Sequence, residues 1–333
     1  MTGGAGFIGS HVVDLLVDRG FDVIVIDDLS TGRADNLVRH RRNSRVQLHQ
    51  IDVAALAPPS PVFAGVDYVF HLAGRGDIVP SIERPLDYMR VNVTGTLAVL
   101  EAARWAGARK VVYAASSSCY GSRPPVPTDE SAPIVAEYPY ALSKYLGECA
   151  VLHWGRVYGL PVTSIRIFNA FGPRARTRGA YGAVFGVFLA QKLKGQPFTI
   201  VGDGSQRRDF VYVTDVANAF VLAAESTDSG EIFNLGAGNP QSVNRLVELL
   251  GGETVHVPKR PAEPDCTWAD IRKIRTRLGW TPRVSFEEGV ARMLEAIDYW
   301  ADAPVWTPEA IHAATATWFK YLGRQPATGE GNT

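Results

Sequence analysis

Apolar positions in the first half of the chain form short runs separated by longer segments with helical spacing. The short runs are rich in Val, Ile and Phe, which is typical of buried strands. Residues 6–18 and 85–105 instead carry apolar side chains at three- and four-residue intervals, which indicates helices that bury one face. Strands are predicted at 21–26, 46–51, 66–71 and 110–115. This alternation predicts an α/β fold with a parallel sheet covered by helices.

A third long helix is predicted at 138–158, followed by a strand at 161–168. Beyond residue 170 the pattern changes, because loops rich in Gly, Arg and Pro separate shorter elements. We expect this half to form a smaller lobe over the sheet, and its tail at 324–333 to be flexible. The elements predicted in it are a strand at 209–213 and helices at 184–194, 214–225, 243–250, 286–299 and 308–321.

Three glycines, Gly3, Gly6 and Gly9, have the spacing G-x-x-G-x-x-G and lead directly into the first predicted helix. Glycines let a backbone turn tightly and approach a pyrophosphate, which then lies at the positive end of the helix. The following strand ends at Asp27, at the separation expected for an acid that binds the adenine ribose. The alternative is a glycine-rich turn followed by an ordinary surface acid.

An acid at position 27 would repel the 2′-phosphate of NADP, so NAD is the predicted cofactor, although Arg33 could soften that preference. Other residues expected to contact NAD flank the glycines or follow later strands. They are Phe7, Ile8, Asp52, Val53, Leu72, Ala73 and Gly74.

The strand that normally precedes such a glycine loop is represented here only by Met1 and Thr2. A missing central strand would leave backbone groups of its neighbours unpaired. We therefore hypothesise that the natural protein carries several more apolar residues before Met1. If the chain does begin here, we expect lower stability and weaker cofactor binding.

The overall composition favours a small-molecule ligand. The 333 residues have a formal net charge of zero, so no global field attracts nucleic acid or an anionic membrane. A basic cluster at 33–45 is either a phosphate-binding patch or a solvated surface. The three cysteines form no C-x-x-C pair, which favours a reducing cytoplasm. Neither a leader peptide nor an apolar run long enough to span a membrane is recognised.

Tyr140 and Lys144 stand four residues apart, hence on one face of the helix predicted at 138–158. A phenol has a pKa near 10, so a base at neutral pH needs about three units of lowering, or about 4 kcal/mol. A nearby ammonium and a positive nicotinamide ring are charges that could supply it. Ser116, at the end of the strand at 110–115, could donate a hydrogen bond to the same sugar oxygen. A surface Tyr-Lys pair is the alternative.

The order of these features resembles the extended short-chain dehydrogenase/reductases that act on nucleotide sugars. The resemblance runs from Thr2 to about Tyr321. The matching segments are TGGAGFIGS (2–10), FHLAG (70–74), NVTGT (92–96), AASSSCYG (114–121), YALSK (140–144), RIFNAFGPR (166–174), RRDFVYVTDV (207–216) and RPAEPDCTWAD (260–270).

The resemblance implies that Tyr140 is the base, that Lys144 orients the nicotinamide ribose and lowers the Tyr140 pKa, and that Ser116 positions the sugar hydroxyl. Asn92 joins the cofactor site. Asn169, Arg208 and Arg260 would hold the nucleotide diphosphate, since the planar guanidinium fork pairs with phosphate oxygens. Further substrate contacts are expected from Ser81, Ser117, Ser118, Arg174, Val184, Glu263 and Thr267. No metal ligand is expected.

The fold implied is a Rossmann-type doubly wound parallel sheet, its first strand largely missing, with a smaller, mostly C-terminal α/β lobe. An NAD-binding domain is expected at 1–168, with 209–235 returning to it, and a nucleotide-sugar-binding lobe at 169–208 and 236–323. Relatives dimerise by pairing two long helices, here 85–105 and 138–158. We therefore expect a cytoplasmic homodimer that acts in carbohydrate metabolism.

Ser117 and Ser118 distinguish between the reactions of this family. Related dehydratases carry an Asp-Glu pair at these places and decarboxylases a Glu, and a serine cannot replace that carboxylic acid. The serine-rich version resembles 4-epimerases, which oxidise a sugar at C4 and reduce it again from the other face. A nucleotide-sugar reductase or 4,6-dehydratase is the alternative enzyme, and a non-catalytic NAD sensor the alternative outside catalysis.

The sugar is less sharply indicated. Thr267 resembles a gate position at which a small residue leaves room for an N-acetyl group. A UDP-hexose or UDP-N-acetylhexosamine is therefore expected, with UDP-glucuronate as the alternative, its carboxylate meeting Arg174 or Arg176. Gly76, where some hexose epimerases carry a lysine, and Ala262-Glu263, in place of a common Gly-Asp, depart from the family pattern.

Overall fold

The computed structural model describes residues 1–177 and 184–323. Its strands are β1 (Val23–Ile26), β2 (Val46–His49), β3 (Tyr68–His71), β4 (Lys110–Ser116), β5 (Val162–Ile167), β6 (Asn169–Phe171), β7 (Phe198–Val201), β8 (Arg207–Arg208), β9 (Phe210–Tyr212), β10 (Glu231–Leu235), β11 (Gln241–Ser242) and β12 (Thr254–Val257). Its α-helices are α1 (Phe7–Asp18), α2 (Ile78–Glu83), α3 (Pro85–Met89), α4 (Gly95–Trp105), α5 (Pro139–Tyr158), α6 (Val184–Leu193), α7 (Val213–Glu225), α8 (Val243–Leu250), α9 (Arg272–Leu278), α10 (Phe286–Glu295) and α11 (Pro308–Leu322).

A parallel sheet forms the larger half of the molecule. Strands β3, β4, β5 and β10 pair in that order, and β1 pairs with β2. Thr2 joins the two sets, because it bridges in parallel to Ile26 on one side and to His71 on the other. Its amide donates to the carbonyl of Phe70, and the amide of Leu72 donates back to Thr2. The strand set therefore runs β2, β1, Thr2, β3, β4, β5, β10.

Helices cover both faces of this sheet because its strands are apolar on both sides. Within β4, Val112 packs into a cluster with α1 and α7, whereas Val111 and Tyr113 pack into a cluster with α4 and α5. The predicted doubly wound parallel sheet is confirmed.

The helix predicted at 85–105 is interrupted at its middle. Residues Arg90–Thr94 form a π-helical turn between α3 and α4, and the backbone on both sides of it stays helical. Such single-turn insertions are frequent at functional sites. Here the turn carries Asn92, one of the predicted cofactor residues.

The smaller lobe is built from short strand pairs around aromatic side chains. Strands β6 and β9 pair in parallel, as do β7 and β12, while β8 and β11 are antiparallel. Phe171 stacks on Phe185 with 4.7 Å between ring centroids, and Phe210 stacks on Phe286 at 5.2 Å. The helix predicted at 286–299 is shorter than expected, because α10 ends at Glu295 and a 3₁₀ turn, Ile297–Trp300, follows.

Within residues 1–177 and 184–323 no helix is both long and apolar enough to cross a membrane. The tail predicted to be flexible, at 324–333, lies outside the described residues.

Candidate active site

A cavity of about 710 Å³ lies at the carboxyl ends of the parallel strands and is closed on its other side by the lobe. Ligand-binding clefts are typically about 300–1,000 Å³. The sequence-predicted site residues that line it are Gly3, Gly6, Phe7, Ile8, Gly9, Asp27, Asp52, Val53, Leu72, Ala73, Gly74, Ser116, Ser117, Ser118, Tyr140, Lys144, Asn169, Val184, Arg208, Arg260, Glu263 and Thr267.

The glycine loop lies against the sheet too closely for side chains. Gly3 has a φ of +69°, and a Cβ on it would come within 2.6 Å of the Ala73 nitrogen. A Cβ on Gly9 would come within 2.1 Å of the Gly3 carbonyl oxygen. Both contacts are far shorter than a carbon atom tolerates, so only glycine fits. The loop thus presents bare backbone and the start of α1 to the cavity, as a pyrophosphate requires.

Asp27 lies at the end of β1 and is held by two backbone amides. Its oxygens accept hydrogen bonds from Ala5, at 3.0 Å, and from Leu29, at 2.9 Å. Burial raises the pKa of this carboxyl above its usual value, against the effect of those amides. Arg33 does not line the cavity, because its guanidinium lies over the ring of Tyr299, 5.5 Å from the centroid. No contact of Arg33 with the cavity therefore supports the idea that this arginine weakens the preference for NAD over NADP.

Asn92 supports the cavity wall from behind and does not line it. Its side-chain amide donates to the Arg75 carbonyl at 3.0 Å and to the Ser143 hydroxyl at 2.9 Å, and its oxygen accepts from the Arg75 amide at 2.8 Å. It thereby fixes the turn after Gly74 to the helix that carries Tyr140.

The side chain of Tyr140 points into the cavity beside Ser116, Ser117 and Ser118, at the carboxyl end of β4. Its hydroxyl donates to the Ser116 hydroxyl at 3.2 Å, and Ser116 and Ser118 are hydrogen-bonded at 2.8 Å. The ring of Tyr140 stacks on that of Tyr138, with 6.3 Å between centroids. A phenol and a serine hydroxyl held this close can share one substrate oxygen.

Lys144 lies one turn further along α5, beneath the same part of the cavity. Its ammonium is 4.3 Å from the centroid of the Tyr113 ring, and burial lowers its pKa to about 7, against the opposing charge of Glu148. Burial raises the pKa of Tyr140, although its hydrogen bond with Ser116 opposes that effect. In the chain alone, desolvation of the phenol has a larger effect than the hydrogen bonds that lower its pKa, and the lowering by Lys144 stays a prediction.

Two arginines reach the cavity from the lobe and share one carboxylate. Glu263 accepts a hydrogen bond from Arg208 at 3.0 Å, and its other oxygen lies 3.2 Å from Nε of Arg260. Beside them, the Thr267 hydroxyl donates to the side-chain oxygen of Asn169 at 2.7 Å. Arg208 and Arg260 carry two positive charges, and Glu263 balances only one of them. This end of the cavity is therefore suited to a polar, anionic group.

Ser81 and Arg174 do not line the cavity. The buried hydroxyl of Ser81 donates to the Ile78 carbonyl at 2.6 Å, a bond within its own helical turn. Arg174 forms an ion pair with Asp14 of α1 at 2.8 Å. Ser81 thus has a partner within its own helix, and Arg174 has one far away in the sequence. The sequence pattern reveals neither contact.

Several lining residues were not predicted from the sequence: Arg75, Asp77, Tyr138, Gln206 and Trp318. The position of Tyr138, two residues before Tyr140, was a usable signal, because both rings lie at the start of one helix. No sequence signal marks Trp318, since it reaches the cavity from α11, far along the chain. Among the described residues, no group of three or more His, Cys, Asp or Glu side chains is arranged to hold a metal.

Comparison with known proteins identifies the family. A model of the NAD dependent epimerase/dehydratase family matches residues 1–236. The UDP-glucose 4-epimerase of Mycolicibacterium smegmatis is 37% identical over 309 residues, which cover 89% of this chain and 96% of that protein.

Solved structures agree with this match. The UDP-glucose 4-epimerase of Thermotoga maritima, solved with UDP-glucose, has a TM-score of 0.82 and 34% identity over 90% of this chain and 97% of that one. The UDP-glucuronic acid 4-epimerase of Bacillus cereus, in complex with UDP-glucuronic acid and NAD, has a TM-score of 0.83 and 29% identity over 89% and 98%. The predictions of an enzyme and of NAD as its cofactor are confirmed. The chain belongs to the NAD dependent epimerase/dehydratase family.

Proposed function

We propose that the protein interconverts the C4 epimers of a UDP-hexose or a UDP-N-acetylhexosamine through a transient 4-keto sugar. The observation that carries this proposal is the hydrogen-bonded set of Tyr140, Ser116 and Ser118, in one cavity with the glycine loop and the lobe arginines. In this proposal the dinucleotide would bind at the glycine-loop end of the cavity and the nucleotide diphosphate at the end lined by the lobe arginines. The reacting sugar carbon would then lie between them, beside the phenol.

The residues present fit NAD. Gly3 and Gly9 leave the backbone open to a pyrophosphate, and Asp27 and Lys144 line the same cavity. Asp27 would accept hydrogen bonds from the ribose hydroxyls, and Lys144 would bind at the nicotinamide end. When bound, NAD supplies the group that takes up the hydride from C4 and returns it, so that no net oxidation occurs.

Proton transfer falls to Tyr140. Its phenolate would accept the proton of the C4 hydroxyl, and the resulting phenol would return that proton when the ketone is reduced. Burial favours the neutral phenol in the chain alone. Activation of Tyr140 therefore depends on positive charge at the nicotinamide end of the cavity, where Lys144 also contributes.

A 4,6-dehydratase is disfavoured by the side chains beside Tyr140. Ser117 and Ser118 stand where water elimination needs a carboxylic acid, and a serine hydroxyl is far too weak an acid to replace it. The carboxylate of Asp77 lines the same cavity, but Arg176 holds it in an ion pair at 2.6 Å. That ion pair engages the Asp77 carboxylate with Arg176, so the carboxylate is not free to act on a substrate hydroxyl.

The sugar is inferred from two ion pairs. Arg174 is paired with Asp14 at 2.8 Å, and Arg176 is paired with Asp77 at 2.6 Å. Neither arginine lines the cavity, and a uronate carboxylate would have to displace one of these acids to pair with either of them. A neutral sugar requires no such exchange, which supports a hexose or N-acetylhexosamine over glucuronate, the substrate of the B. cereus relative.

The N-acetyl group is supported by Thr267. This small side chain is turned toward Asn169, with its hydroxyl donating at 2.7 Å, so it leaves space in the cavity wall. A bulky residue here would fill that space. We infer that both plain and N-acetylated hexoses fit.

A homodimer formed through α5 is also proposed. Leu142 and Leu146, on one face of this helix, are 40% and 38% exposed. Neighbouring apolar side chains on one surface are typical of protein–protein contacts. The cytoplasm is the proposed compartment.

The function is tested by incubating the protein with UDP-, dTDP-, GDP- and CDP-sugars without added cofactor and reading the stereochemistry of the products. We expect C4 epimers of neutral UDP-sugars and no net redox change, with Tyr140→Phe as the inactive control. A 4-keto-6-deoxy product would establish a dehydratase instead. Absence of turnover in a protein that retains NAD would favour the non-catalytic sensor.

A further inference from the structure

Helix α11 connects the two halves of the molecule across the cavity. Near its start, Ile311 packs with Val201 and Val257 of the lobe. Near its end, the Thr317 hydroxyl donates to the Glu83 carboxylate of α2 at 3.0 Å. Because α2 belongs to the dinucleotide-binding half and lines the cavity through Ile78, one helix is attached to both walls.

Trp318, in the last turns of α11, lies against the turn that carries Arg260. Its indole N–H donates to the Pro261 carbonyl at 2.7 Å, and the guanidinium of Arg260 lies 5.3 Å from the centre of its ring. Trp318 is buried, only 6% exposed, and it lines the main cavity. The contact therefore combines a hydrogen bond to the backbone of the turn with a cation–π interaction with its arginine.

The turn needs such support. Ala262 has a φ of +54°, a left-handed conformation that a non-glycine residue adopts at some cost in energy. Arg260 also has a long side chain, whose ordering on binding a phosphate would reduce affinity. The Trp318 indole holds both the Pro261 carbonyl and the Arg260 guanidinium. Part of the entropy cost of ordering Arg260 is therefore met before the ligand binds.

We propose that Trp318 is a positioning residue for the nucleoside diphosphate, and that α11 presents it to the phosphate-binding turn from across the cavity. This inference rests on the proposed function only for the chemical class of the ligand. Arg260 and Arg208 make the phosphate contacts, with Glu263 between them balancing one of their two charges. Trp318 acts through Arg260.

UDP binding, measured by titration calorimetry on the NAD-loaded protein, tests the proposal independently of turnover. We expect Trp318→Ala to weaken UDP binding about tenfold, equivalent to about 1.4 kcal/mol. Trp318→Phe keeps the ring but loses the N–H, so about a threefold loss is expected. Phe319→Ala, at the next and 37% exposed position of the same helix, is the matched control and should bind UDP as the wild type does.

Steady-state kinetics separate positioning from a structural role. For Trp318→Ala we expect KM for the UDP-sugar to rise with the loss of UDP affinity, while kcat and the NAD content stay unchanged. Unaltered UDP affinity, or a fall in kcat at constant KM, would overturn the proposal. Should Trp318→Ala fail to fold, wild-type UDP affinity in Trp318→Phe would overturn it and a weakened affinity would support it. If no sugar is epimerised, the UDP titration still decides the role of Trp318.

Discussion

Asp77→Asn is expected to shift the sugar preference toward uronates. Asp77 lines the cavity and is ion-paired with Arg176 at 2.6 Å, and it lies near enough to Tyr140 to raise the pKa of that phenol. The amide keeps the shape of the side chain but removes its charge. A substrate carboxylate near position 77 would then meet no like charge, and Arg176 would lose its competing acid partner.

The size of the effect follows from Coulomb's law. Two like charges about 6 Å apart repel by about 3 kcal/mol at an effective dielectric constant of about 20. The Asp77 and Arg176 side chains are 23% and 32% exposed, so solvent reduces this value. A net effect of about 1.4 kcal/mol corresponds to about a tenfold change in relative kcat/KM.

The assay compares kcat/KM for UDP-glucuronate with that for UDP-glucose, in the wild type and in Asp77→Asn. We expect the ratio to rise about tenfold in the variant, chiefly through the uronate. Asp35→Asn is the control, because Asp35 is an exposed partner of Arg33 outside the cavity. If the ratio of the two kcat/KM values is unchanged, or if kcat/KM falls equally for both sugars, the assigned role of Asp77 is refuted.

Four further predictions follow from the site and its supports. Tyr140→Phe should retain NAD, read by absorbance after denaturation, but lose about 10²–10⁴-fold in kcat, since no proton acceptor remains. Gly9→Ala should lose bound NAD and about 1–3 kcal/mol of unfolding free energy in urea, because its Cβ would lie 2.1 Å from the Gly3 carbonyl oxygen. Burial lowers the Lys144 pKa from 10.5 to about 7, so the unfolded chain binds more protons between those values and stability rises with pH. Urea titrations at several pH values in this window should show this rise for the NAD-free wild type and a smaller one for Lys144→Met. Leu146→Asp should sediment as a monomer where the wild type sediments as a dimer, and identical sedimentation would remove α5 from the interface.

The sheet and the cofactor end of the cavity were predictable because their signals are local. Apolar runs of strand length and helical spacing reflect burial directly, and parallel strands bring their carboxyl ends to one edge. Asp27, Gly74 and Ser116 therefore converge once the strand order is given, and Tyr140 and Lys144 share one helix face.

The remaining contacts depend on residues far apart in the sequence. In the uronate alternative Arg174 or Arg176 would meet the substrate carboxylate, but Asp14 and Asp77 are their partners in the structure. No pattern of spacing reveals ion pairs between residues that are about 100 and 160 positions apart. The place of Trp318 is hidden in the sequence for the same reason, since only the path of α11 brings it to Arg260. The direction of the Tyr140 pKa was likewise set by burial, which spacing does not reveal.

The central claim is that C4 of the sugar is oxidised beside Tyr140 and then reduced again at the same carbon. It is tested most directly with UDP-glucose carrying deuterium at C4, incubated in ordinary water and followed by NMR and mass spectrometry. The account predicts a C4 epimer that keeps the label at C4. Loss of the label to solvent, or its transfer to C6, would contradict it.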